Sequence, residues 1–268
     1  MIDHRLLQRT LFRMQLDSAF ATRVFEREPE ALASTGLAEA DLTWILAADP
    51  IAISADPGGR RLSQLIGNVV AEYVASVSLM VERLGFADIA SAFASSPEFH
   101  AAIRFDDSLP VGFGAYAARR LEPSGEGTIE SVLTLERALV DARRGPREVA
   151  KPAAGQVVLA GCARLIELRA GTFELLGQLA TDSSCDRVLE PESEHLLLKT
   201  GPPAHVGALY RVDVEVLSES VRAVLRAAEQ PLDGAGREAL ARSRGVEPEE
   251  LSDFLRSLRE EGLLEGGS

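Results

Sequence analysis

The stretch EHLLLKTGPPAHVGALYRVDVE, residues 194–215, decides the fold class of the second half of the chain. Residues 194–200 and 206–215 read as two strands. Gly201-Pro202-Pro203 separates them, a turn that a helix cannot cross. Upstream, 156–159 and 163–168 have the same strand-like composition, and 172–180 fits a short helix. Downstream, three helices follow. Residues 218–230 carry Val221, Val224 and Leu225, and 234–244 carry Leu240. Residues 247–264 carry Leu251, Phe254, Leu255, Leu258 and Leu263, with Pro248 at the start and Gly262 near the end. Strands followed by three helices outline a small winged-helix-like module. Lys151-Pro152-Ala153-Ala154-Gly155 reads as a linker or strand lead-in, so a domain boundary falls near residue 150.

Residues before that boundary have helical periodicity. Leu7, Leu11 and Met14 fall at i, i+4 and i+7. Asp17 or Ser18 can cap a second helix carrying Phe20, Val24 and Phe25. Pro29 suits the first turn of the next helix and Gly36 its C-terminal cap. Residues 37–48 place Leu42, Ile45 and Leu46 on one stripe. Asp49-Pro50 and Asp56-Pro57-Gly58-Gly59 punctuate a loop. The spacing of Leu62, Leu65, Ile66, Val69, Tyr73, Val77, Met80 and Leu84 predicts one long helix ending at Gly85. Shorter helices fit 88–94, 97–104 and 111–121. Residues 129–144 form a last helix, with Ile129, Val132, Leu133, Leu135, Leu139 and Val140 inward. The fold class is therefore mainly α with a smaller α+β part: a helical domain over 1–150 and a winged-helix-like domain over 151–268.

Composition narrows the function classes. Twenty-eight Lys and Arg against 41 Asp and Glu give a net charge of −13, and 46% of the 268 residues are hydrophobic. This is a globular composition. The acidic balance argues against nucleic-acid binding, which needs a basic face. No apolar run is long enough to span a membrane, and the N-terminus has no apolar signal core. Cys162 and Cys185 make neither a disulfide framework nor a zinc site. The expectation is a reduced, cytoplasmic chain.

No constellation of catalytic residues stands out. His4, His100, His195 and His205 show no metal-ligand spacing, although His195 and His205 could approach across adjacent strands. A surface or partly buried imidazole is the plainer reading of each. Gly112-Phe113-Gly114 and Gly58-Gly59 read as turn glycines rather than phosphate cradles. Asp106-Asp107 and Glu260-Glu261 read as solvated loops or helix ends. Weight moves from a catalyst toward a binding or accessory subunit, with no catalytic residue and no metal ligand assigned.

The last helix sharpens this. Glu247, Glu249, Glu250, Asp253, Glu260 and Glu261 outweigh Arg256 and Arg259, and carboxylates repel a phosphate backbone. A strand edge beside a helix can instead take an extended peptide as an added strand. The edge would come from 206–212, with Leu209, Tyr210 and Val212 as contacts. The groove would come from Phe254, Leu255 and Leu258, which could equally pack the module's own core.

Three runs carry a resemblance: FASSPEFHAAIR (93–104), PVGFGAYAA (110–118) and LTLERAL (133–139). They resemble the helical domain of partner proteins of the multinuclear non-haem iron-dependent oxidases, TIM-barrel enzymes that modify ribosomally made peptides. VEPEELSDF (246–254) with EGLL (261–264) is similar to the last helix of the PqqD-like RiPP recognition elements. DSAFATRVF (17–25) with LTWIL (42–46) also looks like the small subunit of ring-opening dioxygenases.

The first two resemblances imply a division of labour. The oxidase partner would hold the iron, and this chain, with no cofactor of its own, would dock in a heterodimer. It would present a ribosomal precursor peptide, at a cysteine, for oxidation. Tethering would raise the peptide's effective concentration at the iron. Peptide contacts would be Leu209, Tyr210, Val212, Phe254 and Leu258. The competing readings are a ligand-responsive winged-helix transcription regulator, a ring-opening dioxygenase small subunit and a free-standing enzyme. The regulator lacks its basic recognition helix, and the dioxygenase reading leaves the second half unexplained.

Overall fold

The computed structural model describes residues 4–50, 66–86, 89–105, 107–181 and 187–267. Gly58, Gly59, Leu62, Leu65, Asp106 and Cys185 lie outside the described residues. The fold is mainly α with a smaller β part. Contacts divide the chain into two compact units, Met1–Leu133 with Leu179–Ser184 and Thr134–Gln178 with Cys185–Ser268.

The first unit opens with α1 (His4–Leu16), α2 (Ser18–Phe25), α3 (Pro29–Thr35) and α4 (Glu39–Leu46). Asp17 is the N-cap of α2, its carboxylate accepting the Phe20 N–H at 2.9 Å. Pro29 sits in the first turn of α3, and Gly36 closes it with φ +68°. Met14, Phe20, Val24, Ala31 and Ile45 form the core of these four helices.

The unit continues through α5 (Val74–Leu84), α6 (Ile89–Ala94), α7 (Pro97–Phe105) and α8 (Leu109–Leu121), followed by the start of α9 (Gly127–Arg143). The helix expected to run unbroken to Gly85 is interrupted at 71–73. Tyr73 leaves helical geometry with φ −132° and ψ 34°. Its fully buried ring lies 5.1 Å from Phe113, and its hydroxyl donates to the Pro110 carbonyl at 2.8 Å. Burying an aromatic ring with its hydroxyl satisfied outweighs one turn of helix.

Gly112 and Gly114 are helical rather than turn residues. α8 packs so closely on α7 that a Cβ at Gly112 would lie 3.2 Å from the Glu98 carbonyl oxygen. Arg119 then clamps the two helices with a two-pronged bond to Glu98, at 2.6 and 3.0 Å. Phe93 packs edge-on against Phe99 and Phe113 at 5.3 and 5.1 Å. Residues 93–104 and 110–118 thus supply an aromatic core.

The second unit holds β1 (Val157–Leu159), β2 (Ala163–Arg169), α10 (Thr172–Leu179, its last residue in the first unit), β3 (Ser193–Pro203), β4 (Tyr210–Val216), α11 (Glu219–Ala227), α12 (Gly234–Arg244), α13 (Pro248–Glu260) and β5 (Leu264–Gly266). β2, β3 and β4 make an antiparallel sheet in that order, and β1 pairs with β5. Leu165 and Leu197 face a core shared with α11, α12 and α13. Leu168, Leu196, Leu198, Val212 and Val214 face Leu135 and Ala142 of α9. β2 and β3 are apolar on both faces because helices cover both.

Two expectations fail in this unit. Gly201-Pro202-Pro203 is not the turn: β3 runs through it, with a register shift between Thr200 and Pro203. Proline is tolerated in strands at such irregularities. The turn comes at 204–209, so strand β4 starts only at Tyr210. The last helix stops at Glu260 instead of reaching Leu264, since Gly262 takes φ +74° and turns the chain. Leu264 then pairs with Leu159.

Gly161 holds this arrangement. Its N–H donates to Glu265 at 3.2 Å and its carbonyl accepts from Arg147 N at 3.0 Å. A Cβ there would strike the Arg147 carbonyl oxygen. Gly161→Ala should cost about 2 kcal/mol through this backbone clash. Urea unfolding of the variant, monitored by circular dichroism, checks the figure.

Candidate functional site

The hydrogen bonds around β3 reveal which groups of β4 are free. Leu217 N donates to the His195 carbonyl, so residues 195 and 217 are a hydrogen-bonded pair. Pairing alternates along an antiparallel ladder. With Leu197 opposite Glu215 and Lys199 opposite Asp213, those rows also exchange bonds with β3. The intervening residues Val212, Val214 and Val216 therefore turn their N–H and C=O groups to the outer edge. On the other side, Thr200 N donates to the Cys162 carbonyl, which is the complementary alternation. Among the described residues no strand pairs with that edge of β4. Beside it Val206, Leu209 and Val216 are exposed.

The side chains alternate as sharply as the backbone. Val212 and Val214 pack toward α9. Arg211, Asp213 and Glu215 line the opposite face, with Arg211 paired to Asp213 at 3.0 Å. Lys199, opposite Asp213, reaches the Glu261 carbonyl just past α13 at 2.6 Å.

The five expected contact residues do not form one groove. Leu209 lies in the hairpin loop rather than on the strand. Tyr210 begins β4, with its ring against Gly145. Val212 is on the edge but points its side chain away from the core that holds α13. Leu258 is 4% exposed within that core, beside Leu255, and Phe254 packs against it half-buried. The apolar stripe of α13 closes the module's own interior, so Leu255 and Leu258 are not groove walls. The outward face of α13 is carboxylate-rich: Glu247, Glu249, Glu250, Asp253, Glu260 and Glu261 are all exposed.

A cavity of about 270 Å³ lies over the other end of the sheet, between Glu167, His195 and Leu217 and the α11 residues Arg222 and Arg226. Arg222 bonds the His195 ring and pairs with Glu219 at 2.6 Å. That bond holds the exposed Glu219 carboxyl below its ordinary pKa. His195 and His205 do not meet: His195 is opposite Glu167 and Leu217, whereas His205 is in the loop at the far end of the hairpin. The Cys162 thiol is half-buried and donates to the Gly262 carbonyl at 3.3 Å.

Among the described residues, no three His, Cys, Asp or Glu side chains are grouped to hold a metal ion. Among them too, no helix is long and apolar enough to cross a membrane. Compared with known protein families and with curated proteins, the sequence matches none.

Proposed function

We propose that this chain is a non-catalytic subunit that captures an extended ribosomal precursor peptide and presents it to an iron-dependent oxidase. The observation that carries the reading is the open edge of β4, where Val212, Val214 and Val216 offer unpaired backbone groups in the spacing that an added strand requires. Backbone pairing gives affinity for any extended peptide, and the flanking side chains give preference. The resemblance of 93–104, 110–118 and 133–139 to the oxidase partners supports placing the chemistry in the other subunit. Iron would sit there, and the peptide's cysteine would be oxidised there.

Amide hydrogen exchange with a precursor peptide tests the capture. Exchange at Val212, Val214 and Val216 should slow at least about tenfold at saturating peptide, since added-strand bonds must break before exchange. Protection at the outer edge of β2 instead, or none at β4, overturns the assignment. Copurification of the full chain with a multinuclear iron-dependent oxidase from its native cells tests the partner.

The net charge of −13 and the acidic outer face of α13 favour a basic peptide. Affinity for a lysine-rich leader should fall several-fold between roughly 50 and 500 mM salt, as screening shortens the reach of these charges. Isothermal titration at the two salt concentrations measures this.

A further inference from the structure

Two helices of the first unit each carry a nitrogen-rich pair at i, i+4: Arg9 and Arg13 on α1, His100 and Arg104 on α7. All four line one cavity of about 280 Å³, and no carboxylate is among its lining residues. In a chain with 41 acidic residues, a cavity with three arginines and no acid is a local inversion of charge.

The inner end of the cavity is held by side-chain contacts. Arg13 Nη2 donates to His100 Nδ1 at 2.9 Å, and its guanidinium stacks 3.5 Å from the centre of the Phe20 ring. Arg13 Nε is buried without a hydrogen-bond partner. Because arginine only donates, Nδ1 must be the acceptor. The His100 ring proton is therefore on Nε2, 2.8 Å from Asp17 Oδ2. Asp17 accepts from Phe20 N with its other oxygen and is spent inside the helix cap. Burial lowers the Arg13 pKa, partly offset by the Asp17 charge, so this cation is short of solvent.

The outer end is available. Arg9 Nη1 donates to the Arg104 carbonyl at 2.6 Å, and the exposed Arg104 guanidinium lies 5.5 Å from the centre of the Phe105 ring. Neither guanidinium has a carboxylate partner among the described residues. The walls between the cations are Leu6, Phe20, Ile103 and Phe105. Arginine forks match a carboxylate in two-pronged geometry. Apolar walls reward a ligand with an apolar body and penalise a fully hydrated inorganic anion.

We infer that the cavity between α1 and α7 binds a monocarboxylate with a compact apolar body, its carboxylate held by Arg9 and Arg104 at the mouth and its body against Phe20 and Ile103. The same chemistry is offered by a small free acid and by the terminal carboxylate of a peptide ending in an apolar residue. The assignment does not rest on peptide capture at β4.

Isothermal titration of the full chain with phenylacetate tests it, with phenylacetamide, acetate and inorganic phosphate as comparators. Phenylacetate should bind saturably below ~10 mM, and phenylacetamide, which lacks the charge, at least about tenfold more weakly. Arg9→Gln and Arg104→Gln should each weaken phenylacetate at least about fivefold, as one charge-assisted bond is lost. Both side chains lie outside the core, so thermal melts should stay at the wild-type value, and Arg23→Gln, outside the cavity, should bind as wild type. No saturable binding, equal binding of the amide, equal binding of phosphate, or unchanged affinity in both cavity variants would overturn the inference. A tripeptide ending in Phe, with a free or an amidated C-terminus, separates the sources. Tighter binding than phenylacetate by the free-carboxylate form alone identifies a chain terminus, and weaker binding identifies a free acid.

Discussion

Asp17→Ala should destabilise the first unit by about 3 kcal/mol, adding a lost helix cap of about 1 kcal/mol to a broken, largely buried charge contact. Asp17 is 4% exposed and serves two masters: the Phe20 N–H at the start of α2 and the His100 ring of α7. Removing it leaves the Arg13 cation without a nearby counter-charge and the His100 Nε2–H without its carboxylate. Asp17→Asn separates the two effects, because asparagine caps a helix as well as aspartate does. The asparagine variant should recover about 1 kcal/mol of the loss and no more. Burial raises the Asp17 pKa, but the His100 contact, the Phe20 N–H and the Arg13 charge outweigh it, and the net shift is downward. A carboxyl with a lowered folded pKa stabilises above its unfolded pKa and stops doing so as pH falls through the folded one. The deficit of Asp17→Ala should therefore be full between pH 5 and 7 and shrink below about pH 4. Denaturant unfolding of the three proteins at both ends of that range measures it. A deficit that does not change with pH would mean that Asp17 acts as a cap alone.

Val214→Pro should reduce precursor-peptide affinity at least about tenfold while the protein stays folded. Proline removes one N–H and fixes φ in a range that strands tolerate at their edges. At Val214 the lost N–H points outward, so the bonds between β3 and β4 survive. Asp213→Pro is the matched contrast. Its N–H points inward to Lys199, so the same chemical change breaks the ladder and should cost about 3 kcal/mol. Peptide titrations and thermal melts of the two variants should thus separate: one loses binding, the other loses stability. Wild-type peptide affinity in Val214→Pro would remove β4 from the function.

Much of the local structure was legible in the residues, and the reason is that local chemistry controls it. Asp17 caps α2, Pro29 starts α3, and Gly36 and Gly85 end α3 and α5 with positive φ. What misled were residues whose local preference is overruled by packing. Pro202 and Pro203 look like a turn, yet they end a strand across an irregular register. Tyr73 continues a helical stripe, yet its ring and hydroxyl are worth more in the aromatic core than the helix turn they interrupt. Gly112 and Gly114 look like turn formers, yet both lie inside α8, and Gly112 lets that helix approach α7. Phe254 and Leu258 read equally well as groove or core, and the distinction depends on what the facing strands present, which is Leu165 and Leu197, far away in the sequence. The cationic cavity left a trace in the sequence as two i, i+4 pairs, 9/13 and 100/104. Nothing in either helix alone indicates that they face one another.

The two faces of β4 carry one further consequence. Val212 and Val214 belong to an apolar layer, whereas Arg211, Asp213 and Glu215 belong to a charged one. A peptide added along the edge continues both layers, with alternate side chains entering each. Shifting that peptide by one residue exchanges every apolar position for a charged one. The edge would then act as a phase detector: it would accept any sequence with the right alternation, and the distance from the bound stretch to any residue beyond it would be counted in steps of two.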